Sequence, residues 1–222
     1  MPRRNHFLPL LLPLTLTLSA LIANPIAGVA APPEAPATPA AGAPPLLWKA
    51  VTRDMFDDHG KVTITKKTIH LGEGSPATGI RYLGPVPRGE YEIRCQAKRT
   101  GGGDFFYGLT FPVGQDYCSL IVGGWGGSAV GLSNVDGLSA IENSTTQYIE
   151  FKKNHWYTIR LRVAAGKIAA WIDEKQIFEI TTEGHTFDIW WEQNPLRPLG
   201  IATWNTAAEI RDFKIIDIKK ND

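Results

Sequence analysis

Cysteine is nearly missing from this chain: two residues, Cys95 and Cys118, stand among 222. Neither has a histidine pattern beside it, so no zinc site is expected. Each falls in the apolar phase of a β-type run, which leaves either one Cys95–Cys118 disulfide or two buried free thiols. An excess of charge is missing as well. Lys and Arg number 23 against 22 Asp and Glu, a formal net charge of +1. That balance makes no electrostatic case for nucleic acid or for an anionic membrane as partner. Nor is there a phosphate-cradling glycine loop, a serine nucleophile elbow or a His-Glu-x-x-His helix. Gly101-Gly102-Gly103 leads into Asp104 and a strand instead of a helix, and His59, His70, His155 and His185 are scattered. Neither a cofactor nor a metal is expected.

Long apolar runs are confined to the start. Arg3 and Arg4 precede an apolar stretch from Phe7 to Ile22, and small residues Ala27-Gly28-Val29-Ala30 follow. This is the pattern of a secretory signal over residues 1–30. A span needs about 20 apolar residues, and Pro9 and Pro13 weaken a helix here. The expectation is export to the periplasm or outside, with no stable membrane span after cleavage; an uncleaved anchor is the alternative. Residues 31–45 are a Pro/Ala-rich linker with nothing to bury. Residues 46–222 then have the length of one domain.

Helical apolar stripes are absent from that domain, and what fills it is period-two alternation. In Glu90 to Lys98, Tyr91, Ile93, Cys95 and Ala97 share one face and Glu92, Arg94, Gln96 and Lys98 the other. That is a half-buried antiparallel strand. Trp156 to Val163 repeats the pattern, and turns at Ala165-Gly166-Lys167 and around Asp173 lead into Ile168 to Ile172 and Ile177 to Thr181. Further strands are expected at Val62 to Thr65, Thr68 to Leu71, Gly79 to Leu83, Phe105 to Phe111, Cys118 to Val122, Tyr148 to Phe151, Leu199 to Thr203 and Ile210 to Ile218. A dozen short strands imply an all-β fold of two antiparallel sheets. Ser139 to Thr145 offers one helical turn at most.

The most informative stretch is Gly103 to Gly127, where two apolar runs end in Gly123-Gly124-Trp125-Gly126-Gly127. Glycines permit positive φ and close approach. A tryptophan among them is either a plug for the sandwich edge or a platform for a flat apolar ligand. Sugar hydrolysis uses two carboxylates. Asp104, Asp116, Asp136 and Glu142 cluster in sequence around this loop, but Asp116 and Asp136 suit turns. Asp104 and Glu142 remain as candidate acid and base. Seven tryptophans are many for this length. Aromatic faces stack on the C–H side of a pyranose, and amides or acids bond its hydroxyls. Candidate binding residues are therefore Trp125 with Gly124 and Gly126, Asn143, and Trp204 with Asn205. Trp190 and Trp191 are consecutive, so in extended chain one of them faces solvent, ligand or a protein partner. Asn143-Ser144-Thr145 matches the N-glycosylation acceptor pattern.

On these segments the chain resembles the concanavalin A-like lectin/glucanase sandwiches, and among them the bacterial 3-keto-disaccharide hydrolase domain. The likeness is carried by GDFFYGLTFPV (103–113), CSLIVGGWGG (118–127), VGLSNVDGLSAIEN (130–143), His155 to Ile180, and Pro198 to Ile218. The resemblance implies a two-sheet antiparallel jelly-roll sandwich with sugars as the ligand class. It supplies no catalytic residues, for neither the laminarinase Glu-x-Asp-x-x-Glu strand nor the legume-lectin calcium loop is present. The expectation is an exported carbohydrate-binding module. A glycoside hydrolase or lyase acting on modified sugars such as 3-keto-glycosides, and a non-catalytic protein-contact sandwich, stay open beside it. Oligomeric state is not legible.

Overall fold

A computed structural model of the chain describes residues 47–51, 56 and 58–218. The signal and linker expected at residues 1–45 lie outside the described residues. Among the described residues fourteen strands make two antiparallel sheets of seven.

The first sheet takes β1 (Trp48–Ala50), β4 (Ala77–Tyr82), β6 (Tyr107–Val113), β7 (Asp116–Gly124), β8 (Ala129–Ser133), β9 (Gln147–Tyr148) and β13 (Gly200–Trp204). Their order across the sheet is β1-β4-β13-β6-β7-β8-β9. The second sheet takes β2 (Val62–Ile64), β3 (Thr68–Leu71), β5 (Tyr91–Gly102), β10 (Tyr157–Ala164), β11 (Lys167–Ile172), β12 (Lys175–Thr181) and β14 (Thr206–Asp217). Its order is β12-β11-β10-β5-β14-β3-β2. These are the two antiparallel sheets that the alternation implies, in the jelly-roll sandwich that the resemblance implies.

The core lies between the sheets, because each presents its apolar phase inward. Tyr91, Ile93, Cys95 and Ala97 of β5 face Tyr107, Leu109 and Phe111 of β6 and Leu120 and Val122 of β7 within one buried cluster. Cys95 and Cys118 are both free and buried, so of the two readings the free thiols hold. Burial pushes each thiol up to about 12, which keeps both protonated and unreactive at neutral pH. Two strands are absent from the sequence reading, β1 and β8. The segment Ser139 to Thr145 forms a succession of turns in place of a helical turn. A short 3-10 helix at Trp191–Leu196 also carries no advance signal.

The two sheets differ on their outward faces. On the first, register builds cross-strand rows of small residues. Gly200, Thr110, Ser119 and Ser133 follow one another from β13 to β8. The next row runs Gly79, Ala202, Gly108, Ile121 and Gly131. Small residues let other backbone approach a sheet closely, and here it does. A Cβ on Gly79 would meet the Phe56 ring at 2.8 Å and Leu196 at 3.0 Å, and one on Gly131 would meet the Ala140 carbonyl at 2.6 Å. Phe56, Phe105, Ala140 and Leu196 form a second apolar cluster on this outward face with Ile121 and Ala202. β6 and β8 are consequently buried on both faces.

Candidate functional site

The covering segments do not close over the whole outward face of the first sheet. Between them lies a cleft of ≈ 290 Å³ floored by Ile121 and Ser133. Trp125, Trp190 and Trp204 line it with Phe105, and Asp104, Glu192 and Gln193 supply its polar atoms.

Each wall has a local cause. The β7–β8 connection closes by amides of Gly127 and Ser128 donating to the Gly124 carbonyl, both at 3.2 Å. Trp125 sits at its tip with φ of 46°, a left-handed conformation, and is 43% exposed. It is a presented side chain, not a plug. Beneath the loop, the Arg99 guanidinium donates to the Gly127 carbonyl at 2.8 Å and the Gly123 carbonyl at 3.3 Å. A Cβ on Gly123 would meet that guanidinium at 2.7 Å and the Phe106 ring at 2.9 Å. Gly123 is therefore demanded by what lies under it as well as by its φ of 80°. Burial lowers the pKa of Arg99 while the Asp104 charge pulls it back up.

Asp104 fixes the loop from the other side. Its Oδ1 accepts the Trp125 amide at 3.2 Å and its own neighbour Phe105's amide at 2.7 Å. The Asp104 amide in turn donates to Thr206 Oγ1 at 2.8 Å, and the Trp204 amide donates to the Phe105 carbonyl at 3.1 Å. Residues 104–105 are thus clamped to the β13–β14 corner, with the Phe105 and Trp204 rings 6.1 Å apart and tilted.

The 3-10 helix makes the third wall. Leu196 is fully buried against the small-residue rows. The buried side chain of Gln193 is bonded to Ser119 Oγ, which also lies 3.1 Å from Thr110 Oγ1. That anchoring carries Trp190 and Glu192 to the cleft. Trp190 is 46% exposed, and the Glu192 carboxylate has no hydrogen-bond or ion-pair partner among the described residues.

Of the residues singled out in sequence, Asp104, Trp125 and Trp204 meet at this cleft. Gly124 and Gly126 flank Trp125 in the loop. Asn205 is exposed at the β13–β14 corner with φ of 42°, its amide donating to the Pro76 carbonyl at 2.6 Å, and it does not line the cleft. Glu142 and Asn143 lie apart from it, in the β8–β9 loop. Glu142 Oε2 accepts the Ser139 amide at 3.2 Å and the Ser139 hydroxyl. Those bonds hold its pKa below the usual value. Asn143 Nδ2 donates to the carbonyls of Leu132 and Ser139 at 2.8 and 2.7 Å, and its Oδ1 accepts the Thr145 amide at 3.0 Å. Both residues tie a loop together. Asn143's amide nitrogen, the atom a glycan would occupy, is already spent on the backbone.

Trp190, Glu192, Gln193 and Ser133 at the cleft were not singled out as site residues, apart from the Trp190–Trp191 alternative. Trp191 is the more exposed of that pair, at 72%, and does not line the cleft. Among the described residues no three His, Cys, Asp or Glu side chains gather as a metal site. No helix of the described residues is long and apolar enough to cross a membrane.

The fold and topology are those of a concanavalin A-like two-sheet sandwich. The model of the 3-keto-alpha-glucoside-1,2-lyase-like domain matches residues 81–216, and the chain belongs to that family. Among solved structures it is similar to the carbohydrate-binding module CBM66 from Bacillus subtilis, with TM-score 0.50 and 10% identity over 77% of this chain and 96% of that one. The exoplasmic/lumenal domain of VIP36 in its Ca2+/Man3GlcNAc-bound form gives TM-score 0.53 and 14% identity, over 78% and 86%. The Bacillus licheniformis beta-glucanase gives 0.51 and 12%, over 77% and 91%. At such identities the likeness speaks for the fold alone. No curated protein sequence matches the chain.

Proposed function

We propose that the chain is an exported carbohydrate-binding protein whose domain, residues 46–222, takes a sugar into the cleft on the outward face of its first sheet. One observation carries the reading: three tryptophans and two carboxylates from four separate segments converge on one cleft. Trp125 offers a half-exposed ring, and Trp190 and Trp204 offer two more at its flanks. Rings stack on the apolar C–H face of a pyranose, while Asp104, Glu192 and Gln193 take its hydroxyls. The family and the sugar-binding or glucanase names of the structural neighbours support a saccharide as the ligand class.

A catalytic reading has its own observation, the presence of Asp104 and Glu192 in the same cleft. The family name points to elimination from a 3-keto sugar. One carboxylate would take the proton from the carbon beside the ketone. The other, as the acid, would protonate the departing glycosidic oxygen as the carbon–oxygen bond breaks. Glu192 replaces Glu142 as the partner of Asp104 here, because Glu142 is engaged with Ser139 away from the cleft.

The test is a panel of glycans and 3-keto-glycosides on the purified protein, read for binding and for released product together. Saturable binding weakened about tenfold in Trp125→Ala, with no product, is the expected result. Product that disappears in Glu192→Gln while affinity persists would establish the catalytic reading. Silence across the panel would remove the sugar and favour protein contact through Trp191.

A further inference from the structure

The second sheet carries another unassigned feature on its own outward face. Register places Trp171 of β11 opposite Arg160 of β10, Arg160 opposite Arg94 of β5, and Arg94 opposite Lys214 of β14. Three cations thus stand in one cross-strand row, about 4.8 Å per step. Like charges directly opposite in a sheet are destabilising, so such a row needs a reason.

The neighbouring acids neutralise one end of it only. Glu92 accepts Arg162 through Nε and Nη2 at 2.9 and 2.7 Å and lies 3.8 Å from Arg160. Arg160 also lies over the Trp171 ring at 4.0 Å. Arg211 donates to Gln96 at 2.8 Å, stands 3.7 Å from the Asp212 carboxylate and lies over Trp156 at 4.0 Å. Arg94 and Lys214 are exposed, and among the described residues neither side chain has a hydrogen bond or an ion pair. Just before Lys214 the β14 register shifts, between Arg211 and Lys214. At this irregularity lies a groove of ≈ 430 Å³ lined by Arg94, Cys95, Gln96, Thr158, Asp212, Lys214 and Ile216.

We propose that this groove binds an acidic polysaccharide, a carboxylate or sulfate of the chain bridging Arg94 and Lys214. Gln96 and Thr158 stand beside the pair as neutral hydrogen-bonding groups for hydroxyls. Charge complementarity selects an anion. A polysaccharide suits the face better than nucleic acid, because Trp156 and Trp171 are each overlaid by a guanidinium in place of an open face for a base. Ile216 is the one exposed large apolar side chain of the groove, too little for a lipid surface. The site is on the sheet opposite the tryptophan cleft and does not depend on the reading of that cleft.

The experiment measures binding of the purified protein to polygalacturonate, dextran sulfate, neutral dextran, single-stranded DNA and phosphatidylserine vesicles at low and physiological salt. The acidic polysaccharides should bind, more weakly as salt rises. The double variant R94Q/K214Q should weaken that binding about tenfold or more. It should also leave Tm unchanged or raise it, since a repulsive pair is removed, whereas a purely structural pair would lower Tm. Trp125→Ala should bind acidic polysaccharide as the wild type does. The proposal is overturned if the wild type binds no acidic polysaccharide at low salt, or if the double variant binds as well as the wild type. It is equally overturned if Trp125→Ala abolishes the binding, or if DNA or vesicles bind as tightly as the polysaccharides.

Discussion

The two sheets turn the same kind of inward face to a common core and opposite kinds of outward face to everything else. Outside the second sheet, Arg, Lys, Glu and Gln alternate with buried apolar residues, and β10 reads buried-intermediate-buried along most of its length. Outside the first, the alternate positions of the central strands are Gly, Ala, Ser and Thr apart from Ile121, and a second layer of chain lies on them. The difference shows how a sandwich acquires a cleft. A charged face stays solvated and meets ligands by charge. A face of small residues admits loops, a 3-10 helix and aromatic rings, and the gap they leave becomes a shaped site.

The largest effect that would test this contrast is Leu196→Ala. Leu196 is fully buried beneath the 3-10 helix, so the change should cost about 2–5 kcal/mol and loosen the wall that holds Trp190 and Glu192. Chemical denaturation of the purified protein measures it. Gly131→Val follows, expected to cost about 1–3 kcal/mol by overfilling the gap to Ala140. On the opposite sheet, Arg162→Ala at the surface end of the ion pair should cost less than either. Equal losses on the two faces would erase the contrast.

Next comes ligand affinity. Trp125→Ala should raise Kd for the cleft sugar about tenfold, about 1.4 kcal/mol, without lowering Tm. Smaller still is Glu142→Gln, which should leave sugar binding untouched and lower Tm modestly near neutral pH. The folded pKa of Glu142 is depressed below its ordinary value of 4.5. Its contribution is therefore present above that value and lost as pH falls through the folded pKa. The Tm gap between variant and wild type should close in acid. Last, both thiols should resist a thiol reagent at pH 8 in the native protein and react once it is unfolded.

Much of the fold was legible because alternation reports one buried face. Tyr91 to Ala97 and Tyr157 to Val163 point where period two puts them. β8 carries no sequence signal for the same reason that the cleft exists. In Ala129–Ser133 both phases are buried, so no alternation survives, and Gly131 reads as a breaker. The site was half legible. Trp125, Asp104 and Trp204 are close in space because the β7–β8 loop, the start of β6 and the end of β13 meet at one corner, and glycine spacing marks that corner. Glu192 and Gln193 were invisible, since a short 3-10 helix has no periodicity and Gln193 is placed by Ser119 far away in sequence. Glu142 is near Trp125 in sequence but not in the cleft, because its carboxylate turns back onto Ser139.

The most direct test of the central claim is a titration of the wild type and of a Trp125→Ala/Trp204→Ala variant with the glycan panel, followed by calorimetry. The account predicts saturable one-site binding of a saccharide to the wild type and its loss in the variant, which stays folded with Tm lowered by the lost packing of Trp204 on Phe105. Undiminished saccharide binding by that folded variant would contradict it.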